Sequence, residues 1–452
     1  MLYEVDTIAA ISTPLGEGGI GIVRISGEDS LRIADRIFKG KVTPSKVPTH
    51  AVHYGKIIDP NTQTEIDEVL LIVMRKPHTY TTEDVVEINT HGGIAVLKRI
   101  LQIVLDNGAR LAERGEFTKR AFLGGRLDLS QAEAVIDIIR AKTEEGLSLA
   151  YSQLQGRLSH ELNEIKDTLV NALTLLELSI DFPEEDVEEP DPEEIKSRLA
   201  EAKNKIISLI HAGERGKIVR EGVSFAITGR TNVGKSSLFN ALLLEDRAIV
   251  TPYPGTTRDI IEGWIDINGI PIKLIDTAGI RDSDNPIEQL GVERTRKAIK
   301  ESHGILFVLD KSTGVMDEDL EILEHLKGQK IIGVLNKSDL GGREDGWNFD
   351  FPLISVSALK HTNIDKLTNL MKDVVVPSDY ESPILARERH IEALKGAAIS
   401  VNKAYDGITN NQLPELISYE IKEALNSLGK ITGETTPEDV LDKIFNEFCI
   451  GK

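Results

Sequence analysis

The chain predicts a multidomain protein that joins α+β and α/β parts, and three observations carry that reading. Residues up to about Phe122 mix short β-type runs with turns. A helical period sets in from about Leu129. From Val223 apolar strands alternate with helices, the signature of a parallel α/β sheet. Helical patterns stand on both sides of this α/β stretch, so the economical reading is one helical domain with an α/β domain inserted in it. Two independent helical domains are the other reading. The length of 452 residues accommodates about three domains.

In the N-terminal part, Ile20–Ile25 and Val69–Val73 read as strands, and Gly16, Gly18, Gly19 and Gly21 crowd the first turn. Further on, Leu154, Leu158, Leu162, Ile165, Leu169, Leu173, Leu176 and Ile180 recur at spacings of three and four, which predicts one long amphipathic helix. An acidic, proline-marked break follows from Asp181 to Glu194, then a second helical stretch to about Gly213. The α/β strands read Val223–Thr228, Ile272–Ile275, Ile305–Leu309, Ile331–Leu335 and Leu353–Val356. Past about Pro383 the chain is helical again, with Leu413, Leu416, Ile417, Ile421, Ala424, Leu425 and Leu428 on one face. Thr436, Pro437 and the acidic residues after them signal the start of a last helix. The expected domains are 1–122, 123–215, 216–380 and 381–452, the second and fourth being halves of one helical domain.

Lys and Arg total 53 against 73 Asp and Glu, a net charge of -20, which excludes a protein that grips nucleic acid indiscriminately. The charge is uneven. Asp181–Glu194 carries nine acidic and no basic residues, whereas seven basic residues stand against three acidic ones between Lys98 and Arg126. Such a basic stretch permits RNA contact, although it is more often ordinary surface. The lone cysteine, Cys449, cannot form an internal disulfide, which fits a reducing compartment. No apolar run reaches the roughly 18 residues of a membrane span. The start Met1-Leu2-Tyr3-Glu4 lacks a secretory or transit pattern. The expectation is a cytoplasmic protein with no membrane partner.

Gly229-Arg230-Thr231-Asn232-Val233-Gly234-Lys235-Ser236 matches the phosphate-loop pattern G-x-x-x-x-G-K-[ST], after a predicted strand and before the helical run Ser237–Leu244. Its glycines let backbone N–H groups wrap the phosphates, and the helix N-terminus adds favourable partial charge. Lys235 would reach the β- and γ-phosphates, and the Ser236 hydroxyl would bind Mg²⁺. Asp276-Thr277-Ala278-Gly279 ends a second strand, placing a carboxylate near the metal and a glycine N–H near the γ-phosphate. Asn336-Lys337-Ser338-Asp339 ends a third. A carboxylate there accepts two hydrogen bonds from guanine N1 and its exocyclic amine, a pair that adenine lacks. Ser357-Ala358-Leu359 adds a loop at the base, so GTP is the expected nucleotide. Four motifs in this order resemble the G domain of translation-factor-type GTPases.

Thr251-Pro252-Tyr253-Pro254-Gly255-Thr256-Thr257-Arg258-Asp259 is the natural switch loop, with Thr257 as a second Mg²⁺ ligand. Ordinary turn chemistry is the bland alternative for these threonines. After Gly279 stands Ile280, which cannot orient a water as the glutamine of Ras-like enzymes does. Another polar group or a partner must do so.

Beyond the nucleotide motifs, the whole chain resembles the MnmE (TrmE) family of tRNA modification GTPases, within the TrmE-Era-EngA-YihA-Septin-like superfamily. The resemblance rests on Asp6–Ala10, Gly18–Arg24, Glu87–Gly93, Arg114–Phe117, Arg126–Glu133, Gly255–Asp259 and the ending Cys449-Ile450-Gly451-Lys452. It implies a homodimer with an N-terminal α+β folate-binding and dimerisation domain, a central helical domain and an inserted Ras-like P-loop G domain. It also implies a heterotetramer-type complex with the FAD- and NADH-dependent protein MnmG. Together the two would install an aminomethyl-type group, commonly carboxymethylaminomethyl, on C5 of the wobble uridine of certain tRNAs. The one-carbon unit would come from a tetrahydrofolate derivative, 5-formyl- or methylene-tetrahydrofolate.

The same resemblance implies that G domains dimerise across K⁺, which takes the place of an arginine finger. Asn232 would bind K⁺ through its side chain, and Thr251, Tyr253 and Thr256 through backbone oxygens. Glu288 matches the family's water-positioning glutamate and answers the problem that Ile280 raises, leaving Glu288 and Lys235 as catalytic candidates. The matching folate positions are Arg24, Glu87, Arg126 and Lys452, with Arg126 standing where some members carry lysine. A planar guanidinium is not equivalent to an ammonium there.

Without the resemblance, Glu288 reads as a solvated loop charge, and Arg24 and Arg126 as surface cations. His91, beside two glycines, reads as a turn histidine. Cys449 follows the packed face Val440, Leu441, Ile444, Phe445 and Phe448 and is a candidate functional residue of unspecified role. Two competing functions stand beside the leading one. A regulatory ribosome-assembly GTPase that binds RNA without modifying it conflicts with the N-terminal motif set. A one-carbon transferase with an accessory G domain lacks an obvious catalytic carboxylate set near Arg24 and Glu87.

Overall fold

A computed structural model describes residues 6–181, 191–244, 261–276, 297–342, 349–375 and 387–452. The chain divides into two compact units, one of Met1–Ile136, Leu154–Lys166 and Lys422–Lys452, the other of Asp137–Gln153 and Asp167–Ile421. Among the described residues no helix is long and apolar enough to cross a membrane.

The first unit is built on a seven-stranded sheet. Its strands are β1 (Ile8–Ile11), β2 (Gly18–Ser26), β3 (Phe38–Gly40), β4 (Ala51–Ile58), β5 (Glu65–Met74), β6 (Val85–Gly92) and β7 (Arg110–Leu111). They lie in the order β3-β4-β5-β6-β2-β1-β7, antiparallel except where β1 meets β7. Side chains alternate across the pleat. Val23, Ile25, Val69, Leu71, Val86 and Ile88 enter one core with Ile33 and Ile37 of the helix Ser30–Ile37 and Leu97, Ile100 and Val104 of the helix Ile94–Asp106. Val52, Tyr54 and Leu70, at alternate positions, stay exposed. An antiparallel sheet tolerates such one-sided cover.

The last helix, Glu438–Asn446, lays Leu441, Ile444 and Phe445 against Leu129, Ala132 and Ile136, and Phe448 follows into the same core. The predicted face is present. The helix starts where the sequence signals it, with Pro437 at the N-cap position and Glu438 and Asp439 in the first turn, while the Thr436 hydroxyl donates to the Lys430 carbonyl at 2.9 Å.

The second unit holds a six-stranded sheet of β8 (Val223–Thr228), β9 (Ile261–Ile267), β10 (Ile270–Asp276), β11 (Gly304–Asp310), β12 (Ile331–Asn336) and β13 (Leu353–Ser355). Their order is β13-β12-β11-β8-β10-β9, and all neighbours are parallel except β9 with β10. Leu306 and Val308 of β11 enter one core with Phe225, Ile227 and Leu238, while Ile305, Phe307 and Leu309 enter another with Ala226 and Leu326. Burial on both faces makes β11 and β12 nearly continuous apolar runs, whereas β9, at the sheet edge, alternates.

Two helix boundaries depart from the sequence expectation. The run from Leu154 to Ile180 is not one helix: Glu144–Leu154 ends and Arg157–Asp181 begins around Gly156, whose φ of 86° is left-handed. The spacing of three and four happens to carry across that break. The second stretch does not stop at Gly213 but runs over Pro192–Glu221, with Gly213 and Gly216 buried inside it. It starts where the Asp191 carboxylate accepts from the Glu193 N–H at 2.9 Å. This helix packs along Glu388–Thr409, so the chain leaves for the α/β sheet and returns beside itself. Arg220 and Arg387, at the exit and the return, both bind Asp137, at 2.9 Å each.

Candidate functional site

The loop Gly229–Gly234 connects β8 to the helix Lys235–Leu244. Gly234 is required by its surroundings: its φ is 94°, and a Cβ there would lie 2.4 Å from the side-chain nitrogen of Asn336. The Lys235 ammonium donates to the carbonyls of Gly229 and Arg230 at 2.6 and 2.8 Å, so it sits inside the loop curl. Burial draws its pKa below the ordinary value, with Asp276 opposing. Because β10 runs parallel to β8, with Asp276 opposite Ile227, Asp276 arrives beside the loop. The Ser236 hydroxyl donates to its carboxylate at 3.1 Å. A hydroxyl and a carboxylate at that separation are the hard oxygen donors that Mg²⁺ takes.

The base-side motif is fastened to the same loop. The buried Asn336 amide donates to the Val233 carbonyl at 2.9 Å, and its oxygen accepts from the Ala358 N–H at 3.1 Å. Lys337 donates to the Asn232 carbonyl at 2.7 Å. The Ser357 hydroxyl donates to Asp339 at 2.6 Å and holds that carboxyl below the ordinary range. Leu359, Asn232, Ser236 and Ser237 are exposed. The structure thus brings Asn232, Val233, Gly234, Lys235, Ser236, Asp276, Asn336, Lys337, Asp339, Ser357 and Ala358 to one place. Thr251, Pro252, Tyr253, Pro254, Gly255, Thr256, Thr257, Thr277, Ala278, Gly279, Ile280 and Glu288 lie outside the described residues.

A second cluster forms in the first unit. Arg24 on β2 stands opposite Glu87 on β6 and donates to it at 2.8 Å. Its guanidinium lies 5.9 Å from the Tyr80 ring centre and 5.6 Å from that of Phe117. Arg126 lies over the same Tyr80 ring at 4.9 Å and donates to the Tyr80 carbonyl at 2.9 Å. Arg24 also reaches the Gly451 carbonyl at 3.4 Å. Lys452, half-buried, has its pKa lowered by burial and by Arg24, against Glu87. Arg24 and Arg126 therefore meet over the Tyr80 ring, with Glu87 paired to Arg24 and Lys452 within electrostatic reach of both. A planar guanidinium pair over an aromatic, with one carboxylate, suits a flat heterocycle bearing an acidic tail. A cavity of about 530 Å³ in the same unit is lined by residues such as Lys76, Thr81, Glu83, Asp84 and Arg120, and the four candidates lie outside that lining.

Two residues were missed by sequence reasoning. Tyr80 has no motif signal, since its role comes only from the two arginines that fold onto it. Asp310 was visible as a carboxylate at the carboxyl end of a parallel strand, where α/β sites form. Cys449 is exposed, and its carbonyl accepts from the Gly115 N–H at 3.4 Å. His91 pairs with Asp67 at 2.8 Å at the end of β6.

A phosphate loop on a parallel sheet, with a metal-side carboxylate and an Asn-Lys-x-Asp motif at adjoining strand ends, defines a P-loop protein of the GTPase class. Family models extend this to the whole chain: "GTP-binding protein TrmE N-terminus" matches residues 7–126 and "MnmE helical domain" matches 129–449. The chain belongs to the MnmE family of tRNA modification GTPases. It is 50% identical over 457 residues to the tRNA modification GTPase MnmE of Thermoanaerobacter pseudethanolicus, covering 99% of each chain. It is 47% identical over 454 residues to that of Streptococcus gordonii, again covering 99% of each. Among solved structures, Aquifex aeolicus Era bound to GDP and AlF4- is 27% identical, with a TM-score of 0.30 over 39% of this chain and 66% of that one.

Proposed function

We propose that this chain is a K⁺-stimulated GTPase that hydrolyses GTP to GDP and phosphate and acts with MnmG in modifying C5 of the tRNA wobble uridine. The observation that carries the reading is the convergence of Lys235, Ser236, Asp276 and the Asn336–Asp339 motif on one loop, in a chain alike to MnmE proteins along its whole length. Lys235 neutralises charge on the β- and γ-phosphates, and the loop N–H groups hold them. Asp339 reads the guanine edge. Ser236 and Asp276, with Thr257, would hold Mg²⁺, which neutralises phosphate charge when bound. Asn232, Thr251, Tyr253 and Thr256 would hold K⁺, a further charge beside the phosphates, and Glu288 would orient the attacking water.

In the first unit Arg24, Glu87, Arg126 and Lys452 bind the tetrahydrofolate derivative that supplies the one-carbon unit. The working form is a homodimer in the cytoplasm, joined with MnmG on tRNA, with domains as divided at 1–122, 123–215, 216–380 and 381–452. GTP turnover much faster in KCl than in NaCl tests the hydrolytic half. Equal turnover in both salts over a range of protein concentrations contradicts it. Wobble nucleosides from cells lacking the chain should lose the aminomethyl-type uridine, and unchanged tRNA contradicts the modification half.

A further inference from the structure

We infer that Asp310 is a positioning residue of the nucleotide site, which holds the Lys337 ammonium against the Asn232 carbonyl and so joins the base-side motif to the phosphate loop. Asp310 is the last residue of β11 and stands in register with Asn336, the last of β12, so its carboxylate emerges beside the base-side motif. Oδ2 lies 2.7 Å from Lys337 Nζ. Oδ1 accepts from the Ser312 N–H at 2.9 Å and from the Ser312 hydroxyl at 2.6 Å. Both oxygens are engaged and the side chain is only 6% exposed.

Lys337 in turn donates to the Asn232 carbonyl at 2.7 Å. Lys337 and Asn232 have φ of 61° and 62°, left-handed backbone that persists in such residues only where surroundings hold it. The two neighbouring carbonyls of the phosphate loop are thus gripped by two consecutive residues, Val233 by Asn336 and Asn232 by Lys337. The two grips differ in what they need. Asn336 is buried and fixed by Ala358. Lys337 is a third exposed at the end of a flexible stem, and an ammonium there turns to water unless an anion orients it. Asp310 is that anion. Burial works to raise its pKa, and the hydrogen bonds from Lys337 and Ser312 outweigh burial and leave it below the ordinary value.

Asp310 therefore sets the affinity for guanine nucleotide without touching it. Its influence on Asn232 also extends to K⁺, a consequence that rests on the K⁺ reading above. The test uses the full chain with N-methylanthraniloyl-GDP in Mg²⁺. Asp310→Asn and Lys337→Met should each weaken binding by about tenfold, and the double variant by no more than the more impaired single, since both cut one tether. Ser312→Ala, which leaves the carboxylate and loosens only its aim, should weaken binding by about twofold to threefold and guards against a folding defect in Asp310→Asn. Wild-type affinity in Asp310→Asn, or a double variant equal to the product of the singles, overturns the inference. In the same proteins, the KCl concentration for half-maximal GTPase should rise in Asp310→Asn. A wild type without K⁺ response would refute the K⁺ reading alone, and the affinity comparison would still decide the tether.

Discussion

At the nucleotide site, eight consecutive residues supply the loop, its lysine and its serine, whereas the N-terminal cluster draws Arg24, Tyr80, Glu87, Phe117, Arg126 and Lys452 from separate stretches of chain. The first is largely made of backbone, with carbonyls of Gly229, Arg230, Asn232 and Val233 all engaged by side chains from the same unit. The second is made of side chains gathered around the Tyr80 and Phe117 rings. Backbone sites depend on local conformation and on a few groups that grip it. Side-chain sites depend on the packing that delivers each group. The two regions should therefore fail differently when single residues are changed.

The largest expected effect lies in the packing that supports the first unit. Arg120 is buried and donates to Asp6, Glu83 and Glu116 at 2.6 to 3.0 Å. Arg120→Met leaves those carboxylates without it and should cost about 3–5 kcal/mol. Hydrogen exchange across β1, β2 and β6 reads this loss. Trp264 belongs to the second unit, so the tryptophan fluorescence transition should stay in place. A shift in both signals would mean the units do not respond separately.

Next in size, Lys235→Ala should lower GTP turnover by about 10²–10³ while leaving folate affinity unchanged. Arg24→Gln, the converse, should weaken 5-formyl-tetrahydrofolate binding by about tenfold or more in calorimetry, with GTP turnover intact. Loss of turnover in Arg24→Gln would break the proposed division of labour.

Acid should also separate the regions. Burial acts to raise the Glu116 carboxyl, but hydrogen bonds from Arg110, the Glu113 N–H and Arg120 leave it below its ordinary 4.5. A depressed folded pKa contributes stability that is present above the unfolded value and lost as pH falls through the folded one. Protection in β1 and β2 should therefore decline as pH drops below 4.5, with Arg110→Met and Arg120→Met each removing part of that slope. A smaller effect is expected at the hairpin of β9 and β10. The Lys142 ammonium lies 3.2 Å from the Trp264 ring centre, and the Thr143 hydroxyl donates to the Gly269 carbonyl at 2.8 Å. Lys142→Ala should cost about 1 kcal/mol in the tryptophan transition, and an unchanged midpoint would show that the contact contributes nothing.

The same contrast explains what was legible in the sequence. Strands buried on both faces, such as Ile305–Leu309, announce themselves as apolar runs, and the phosphate loop is contiguous, so five of the six strands and the loop could be read directly, whereas β9, an antiparallel edge strand with polar residues between its apolar ones, was missed. The antiparallel sheet was only glimpsed, because a strand covered on one face carries half the signal. Charge counted along the chain differs from charge in space in one place. Of the basic residues between Lys98 and Arg126, Arg99, Arg110, Lys119 and Arg120 are paired with Asp59, Asp6, Asp442 and Glu83. The stretch is basic in sequence but mostly neutralised in space by residues far away along the chain. Tyr80 illustrates the same limit, since nothing local marks it as the ring on which two arginines meet.

Both regions serve one reaction in this account, and mass spectrometry of wobble nucleosides tests that directly. Cells lacking the chain are complemented with the wild type, with Lys235→Ala or with Arg24→Gln, and GTP turnover of each purified protein is measured alongside. The account predicts that only the wild type restores the aminomethyl-type uridine, with turnover lost in Lys235→Ala and kept in Arg24→Gln. Full modification by either variant, once its own nucleotide or folate defect is verified, would contradict it.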